Sequence, residues 1–200
     1  MLSKINVFDF LFVVFLCLGV VRGRKNGMSG ELFQVLQWVA VLIGCAFLYD
    51  KVSPVLAGPL HLSTLTANMF GYVAMAMLIL GVFALFRRAI GSKLAGSDFF
   101  GHSEYFLGMA SGLVRYGCIA LAGLALLNAR YFSPTEVRAS ERFQNENYGS
   151  NLFPTWYTAQ AMVFERSFCG QLIRQRCQVV LIRPTEAEDT SLHQKELAFP

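Results

Sequence analysis

Between Glu31 and Asp50 the chain carries 18 residues without one Asp, Glu, Lys or Arg, and after Lys51 it carries 35 more, Val52 to Phe86. A helix rises about 1.5 Å per residue, so about 20 predominantly apolar residues cross the hydrocarbon of a bilayer. A soluble core can bury one helix of that kind. Several in a chain of 200 residues would leave too little polar surface to enclose them. Composition agrees: 54% of residues are hydrophobic and 15% charged, against about 25% charged in an average soluble domain. The sequence therefore predicts an all-α integral membrane protein. It is expected to be a four-helix bundle over residues 1–130, followed by a charged tail over 131–200 with an amphipathic helix at about 155–177.

The expected spans run from Ile5 to about Gly23, Leu32 to Tyr49, Ala67 to Phe86 and Tyr105 to Ala129. The first is the shortest in apolar residues. Asp9 in its first turns, and the lack of an A-x-A-like site after it, favour a retained span over a cleaved signal peptide. "GVVRGRKNGMSGELF", Gly19 to Phe33, reads as the turn of the first hairpin. In "KVSPVLAGPLHLSTLT" the Pro and Gly residues predict a loop, since they punctuate helices. "RRAIGSKLAGSDFFGHSE" predicts a second polar loop.

After Asn128 the chain changes character, with eight basic and eight acidic residues in 130–200. "TEVRASERFQNENYGSN" reads as a solvated helix and turn. Trp156, Ala159, Val163, Phe164 and Phe168 recur at helical spacing, after a Pro154 that suits a helix start. "CQVVLIRP" fits a strand or a helix end equally. Cys169 and Cys177 could form a disulfide only across a bend, because one continuous helix would hold them about 12 Å apart.

Lys and Arg near the spans set orientation. Arg22, Arg24, Lys25, Arg87, Arg88 and Lys93 flank the first and third loops. Lys4, Lys51 and Arg130 lie at the other side, joined by Arg138 and Arg142 if the count reaches further. Loops one and three are thus expected on the cytoplasmic side and both termini outside.

Several motifs occur in a fixed order: Asp9 early in the first span, "GVVRG" at Gly19 to Gly23, Glu31 opening the second span, and "EYFLGMASGLVRYG" from Glu104. With "SNLFP" at Ser150 to Pro154, this series resembles the colicin V production protein family of bacterial inner-membrane proteins. Gly108, Gly112 and Arg115 match its pattern. Glu104 stands where the family has Asp, Tyr105 where it has Arg, and Tyr116 where it has Gly. The resemblance implies a multi-pass inner-membrane protein tied to toxin production or export, or to the cell envelope, with no established chemical reaction.

On one face of the fourth span lie Glu104, Gly108, Gly112, Arg115, Ile119 and Ala122. Gly108 and Gly112, like Gly19 and Gly23, have the small-xxx-small spacing that lets backbones approach. Arg115, near mid-span, needs a partner, because an Arg there costs about 2.5–3.5 kcal/mol on insertion scales. Asp9 and Glu104 are its candidates, although Glu104 lies about 16 Å along the same helix. Arg115 then serves either as a polar lock between helices or in permeation. Asp9 itself either sits at headgroup level or, with Asn6, lines a polar pocket. Arg22 belongs with the cations that set topology or meet anionic lipid. Glu31 complements the dipole at a helix start.

His61, His102 and His193 have no ligand-like spacing to Cys or to one another. No nucleophile or acid–base constellation stands out, so no catalytic residue, metal or cofactor is expected. The expected partners are the lipid bilayer, a second copy and other inner-membrane proteins, and not nucleic acid. Two functions fit: a non-enzymatic envelope protein acting by interaction, and a small oligomeric channel or transport component.

Overall fold

The computed structural model describes residues 6–94, 103–148 and 155–186. In chain order it contains α1 (Val7–Leu60), α2 (Thr64–Leu94), α3 (Glu104–Leu127), β1 (Arg130–Tyr131), α4 (Pro134–Tyr148), α5 (Trp156–Phe164), α6 (Phe168–Arg176) and β2 (Thr185–Glu186). The fold is all-α apart from the two short strands. Three of its helices, α1 to α3, are long and apolar enough to cross a membrane. Their outward faces carry Phe10, Phe47, Met77, Leu78, Leu85 and Phe106, all more than half exposed, as suits contact with lipid tails.

The first helix is broken once, at Gly27, whose backbone (φ 68°, ψ 173°) is not helical. Contacts show that the chain reverses there. Phe15 packs on Tyr116, Gly19 faces Gly112, Gly23 faces Gly108 and Gly27 faces Glu104, so the arm before Gly27 runs antiparallel to α3. Beyond Gly27, Glu31 reaches Arg115. Tyr49 bonds Arg183, one residue from the Ile182 that Asn128 bonds. The second arm therefore runs the same way as α3. The second helix returns antiparallel to it, with Phe33 against Phe83, Cys45 against the Tyr72 carbonyl and Ser53 against Gly71.

Three expected loops differ, the third of them in part. The Gly19–Phe33 stretch is helical apart from Gly27, because a glycine with positive φ turns the chain within one residue. The stretch from Lys51 is helical to Leu60, so Pro54 lies inside a helix. The break comes instead at His61, left-handed with φ 48°, and α2 starts at Thr64. Ser53, next to Pro54, directs its hydroxyl back to the Tyr49 carbonyl at 2.7 Å. The polar loop expected after Phe86 is helical to Leu94.

The amphipathic helix expected at about 155–177 is two helices, α5 and α6. Ser167 adopts an extended backbone and accepts from the Gly170 amide at 2.8 Å, capping α6 and ending the previous turn. Gly170 lies against the Val163 carbonyl, closer than any Cβ would permit. Trp156 and Phe168 are exposed, while Ala161, Val163 and Phe164 are buried, so the spaced apolar residues are not all packed on the bundle. Ser150 to Pro154, His102 and His193 lie outside the described residues.

These short helices and the segment after them pack on the end of the bundle remote from Gly27. One apolar core joins Val41, Cys45 and Tyr49 of α1, Tyr72 of α2, Leu124 and Ala125 of α3, and Val163, Phe164, Ile173, Leu181 and Ile182. β1 and β2 pair in parallel, Arg130 with Thr185 and Tyr131 with Glu186. Cys169 and Cys177 are free thiols.

Candidate functional site

At the Gly27 end, the first arm of α1 and α3 approach each other through four glycines. Gly19, Gly23, Gly108 and Gly112 interlock in pairs. A Cβ on Gly108 would lie 2.5 Å from the Gly23 carbonyl oxygen, and one on Gly19 would lie 2.8 Å from that of Gly112. A Cβ on Gly23 or Gly112 would collide with the opposite carbonyl outright. Each partner thus requires glycine in the other, the close approach that small-xxx-small spacing permits. The seam closes on Gly27, where a Cβ would meet Glu104 Oε1 at 2.9 Å. Glu104 also accepts from the Ser29 amide at 3.3 Å.

Because the seam brings the arms close, the returning arm passes Arg115. Glu31 is fully buried, and its two carboxylate oxygens accept from Arg115 Nη1 at 3.0 and 2.8 Å. Asn26 Nδ2 donates to Glu31 Oε1 at 2.6 Å. The Arg115 side chain is 14% exposed, and its Nε has no partner among the described residues. The partner of Arg115 is therefore neither Asp9 nor Glu104. Glu104 is spent on the turn, about 16 Å away along α3. Asp9 lies at the opposite end of the bundle. The register of the glycine pairs was the signal available in the sequence: matching Gly19 and Gly23 with Gly112 and Gly108 sets Gly27 against Glu104. That leaves Glu31, on the arm coming back, as the free acid beside Arg115.

Asp9 neither lines a pocket nor sits at a free helix end. It is 5% exposed and joins two helix starts. As the third residue of a capping box, it accepts from the Asn6 amide at 3.0 Å, while Asn6 caps α1. It also accepts from the Phe168 and Cys169 amides at 3.2 and 2.8 Å, which opens α6. A carboxylate suits both sites, since a helix N-terminus presents unpaired N–H groups and positive dipole charge. Burial, then the Asp9 carboxylate beside it, push the Cys169 thiol above its ordinary range. At the same end of the bundle, Asn6 Nδ2 donates to the Met162 carbonyl and Gln160 Nε2 to that of Arg130. Asn68 Nδ2 donates to Thr185 Oγ1.

Arg22 is exposed and stands apart from the ion pair. Its neighbour Arg24 donates from Nε to the Tyr105 hydroxyl, with its guanidinium 4.7 Å from that ring's centroid. Tyr116, beside Arg115, packs at a tilt on Phe15, with ring centroids 5.0 Å apart, and lies against Gly19. The two tyrosines that depart from the resembled pattern thus tie α3 to the first arm. Among the described residues, no three His, Cys, Asp or Glu side chains gather into a metal-holding group. What the arrangement can do is hold an intramembrane charge in place, locked by backbone contact on one side and a carboxylate on the other.

A family model described as colicin V production protein matches residues 8–146, well over half of the chain. No curated protein and no solved structure matches it.

Proposed function

The chain belongs to the colicin V production protein family, and from that premise we propose that it is a non-enzymatic scaffold of the bacterial inner membrane. It supports toxin production or export, or envelope homeostasis, by contact with other membrane proteins or a second copy. In this reading α1 crosses twice, with its turn at Gly27, and α2 and α3 cross once each. The cations Arg22, Arg24, Lys25, Arg87 and Arg88 hold the Gly27 end in the cytoplasm. The tail packs on the outer end.

The observation that carries the reading is the closed pairing of Glu31 with Arg115. The Arg115 guanidinium is paired with a fully buried carboxylate inside the bundle, which supports a structural use of that charge. The surface left over for function is the apolar outer face, on which Phe10, Met77 and Phe106 are exposed.

The test is a photocrosslinking residue placed at each of those three positions in native membranes, in a host whose toxin secretion depends on the gene. Protein adducts from at least one face, with secretion restored by the tagged chain, are expected. Lipid adducts alone at all three faces would sink the scaffold. Purified protein in liposomes is expected to pass no ions; a flux abolished by Arg115→Ala with the fold kept would establish the channel instead. A phosphatase fused after Pro200 is expected to be active, and an inactive fusion at normal expression reverses the orientation.

A further inference from the structure

Where the second arm of α1 and the end of α3 meet the tail, the surface folds inward to a cavity of about 550 Å³. That volume falls in the range of about 300–1,000 Å³ found for small-molecule sites. Its walls are of two kinds. Phe47 and Val179 offer apolar surface, 64% and 69% exposed. Asp50, Arg174 and Arg183 bring one negative and two positive groups to the same cavity, all on exposed residues. Among the described residues no ion pair within 4.0 Å joins these three, or joins any of them to another side chain.

The cavity is built before anything enters it. The Tyr49 hydroxyl accepts from the Arg183 amide at 3.3 Å, and Asn128 Nδ2 donates to the Ile182 carbonyl at 3.0 Å. Those bonds fix the wall between the charges, so little ordering remains to be done on binding. Depth is fixed as well. Asp50 ends the 18-residue charge-free run of the second arm, which puts the cavity where hydrocarbon gives way to headgroups.

We propose that this cavity binds the phosphate–ammonium headgroup of a zwitterionic phospholipid. Arg174 and Arg183 take the phosphate, for which guanidinium geometry is suited. Asp50 takes the ammonium, and the acyl chains leave over Phe47 and Val179. An anionic lipid without an amine meets the Asp50 carboxylate instead. The assignment needs only the membrane placement of the long helices, and stands whether or not the scaffold reading does.

The experiment is lipid retention by the full chain in detergent, read by native mass spectrometry after equilibration with equal phosphatidylethanolamine and phosphatidylglycerol. The wild type is expected to keep phosphatidylethanolamine at least tenfold better than Arg174→Gln/Arg183→Gln. Asp50→Asn is expected to erase the preference over phosphatidylglycerol. Arg87→Gln/Arg88→Gln, at the far end of the bundle, is expected to retain as the wild type does. Equal retention by wild type and the cavity double variant overturns the proposal. So does an unchanged preference in Asp50→Asn, or an equal loss in the far-end variant. Soluble glycerophosphoethanolamine separates the sources of the headgroup: displacement identifies the headgroup alone as ligand, and resistance identifies the intact lipid. Unchanged thermal midpoints certify the fold of each variant, since the substituted side chains are exposed.

Discussion

At the Gly27 end the helices meet backbone to backbone around one buried ion pair. At the other end polar side chains reach across to the backbone of the tail. The first end works mainly by removing side chains: four glycines bring carbonyls against α-carbons, and beside them Glu31 and Arg115 form a buried ion pair. The second end works by adding them, with Asn6, Asp9, Asn68, Asn128 and Gln160 each bonding the tail or the strand pair. A seam of glycines tolerates no change of shape. A set of separate hydrogen bonds loses strength one member at a time. Substitutions should therefore act as switches at one end and as increments at the other.

The largest effect is expected from Arg115→Ala, which strands a fully buried carboxylate. Breaking a buried pair from one side costs about 3–5 kcal/mol. The thermal midpoint in detergent should fall sharply, and Glu31→Leu/Arg115→Met should recover most of the loss. A double variant no better than Arg115→Ala would break the claim that stranded charge is the cause.

Gly23→Ala comes next, because its Cβ collides with the Gly108 carbonyl. Overpacking costs about 1–3 kcal/mol, occasionally more. Crosslinks between cysteines placed at Phe15 and Tyr116 should weaken as the seam opens. Gly27→Ala belongs at the same level, since its φ and ψ fall where essentially only glycine is found, at a cost of about 1–3 kcal/mol.

Asp9→Ala should act at the other end alone. Loss of an N-terminal cap costs about 0.5–2 kcal/mol. Hydrogen exchange at Phe168 and Cys169 should accelerate while the glycine seam stays protected; equal acceleration at both ends would erase the contrast.

The smallest effect concerns the thiol of Cys169. Its raised pKa means less thiolate at pH 8, so alkylation is slow. Asp9→Asn keeps a hydrogen-bond acceptor but removes the charge, so the midpoint of the alkylation–pH profile should move down. A faster rate with an unmoved midpoint would mean that only access had changed.

The contrast also explains what could be read from the chain. The charge-free runs and the two small-xxx-small pairs are properties of single helices, and both are visible by counting. The face through Glu104, Gly108, Gly112 and Arg115 is local too, a matter of spacing along one helix. Pairing Arg115 with Glu31 requires knowing where the chain reverses, and a one-residue turn at Gly27 leaves no loop to mark it. Pro54 marks a break by its type, but α1 runs through it to Leu60, and the chain turns instead at the left-handed His61. The split at Ser167 was legible in principle, as a serine cap three residues before Gly170, but it was hidden inside an apolar spacing that suited one helix. Asp9 read as a headgroup-level acid because its partners lie 159 and 160 positions away.

That separation sets a timetable for synthesis. The first turn of the chain enters the membrane with a carboxylate whose final partners, the Phe168 and Cys169 amides, have not yet been translated. The strand pair that ties Arg130 to Thr185 closes later still. Until the ribosome has passed residue 186, the opening arm is an unfinished joint, and a prematurely terminated chain carries an exposed acid at the place where the complete one is sealed.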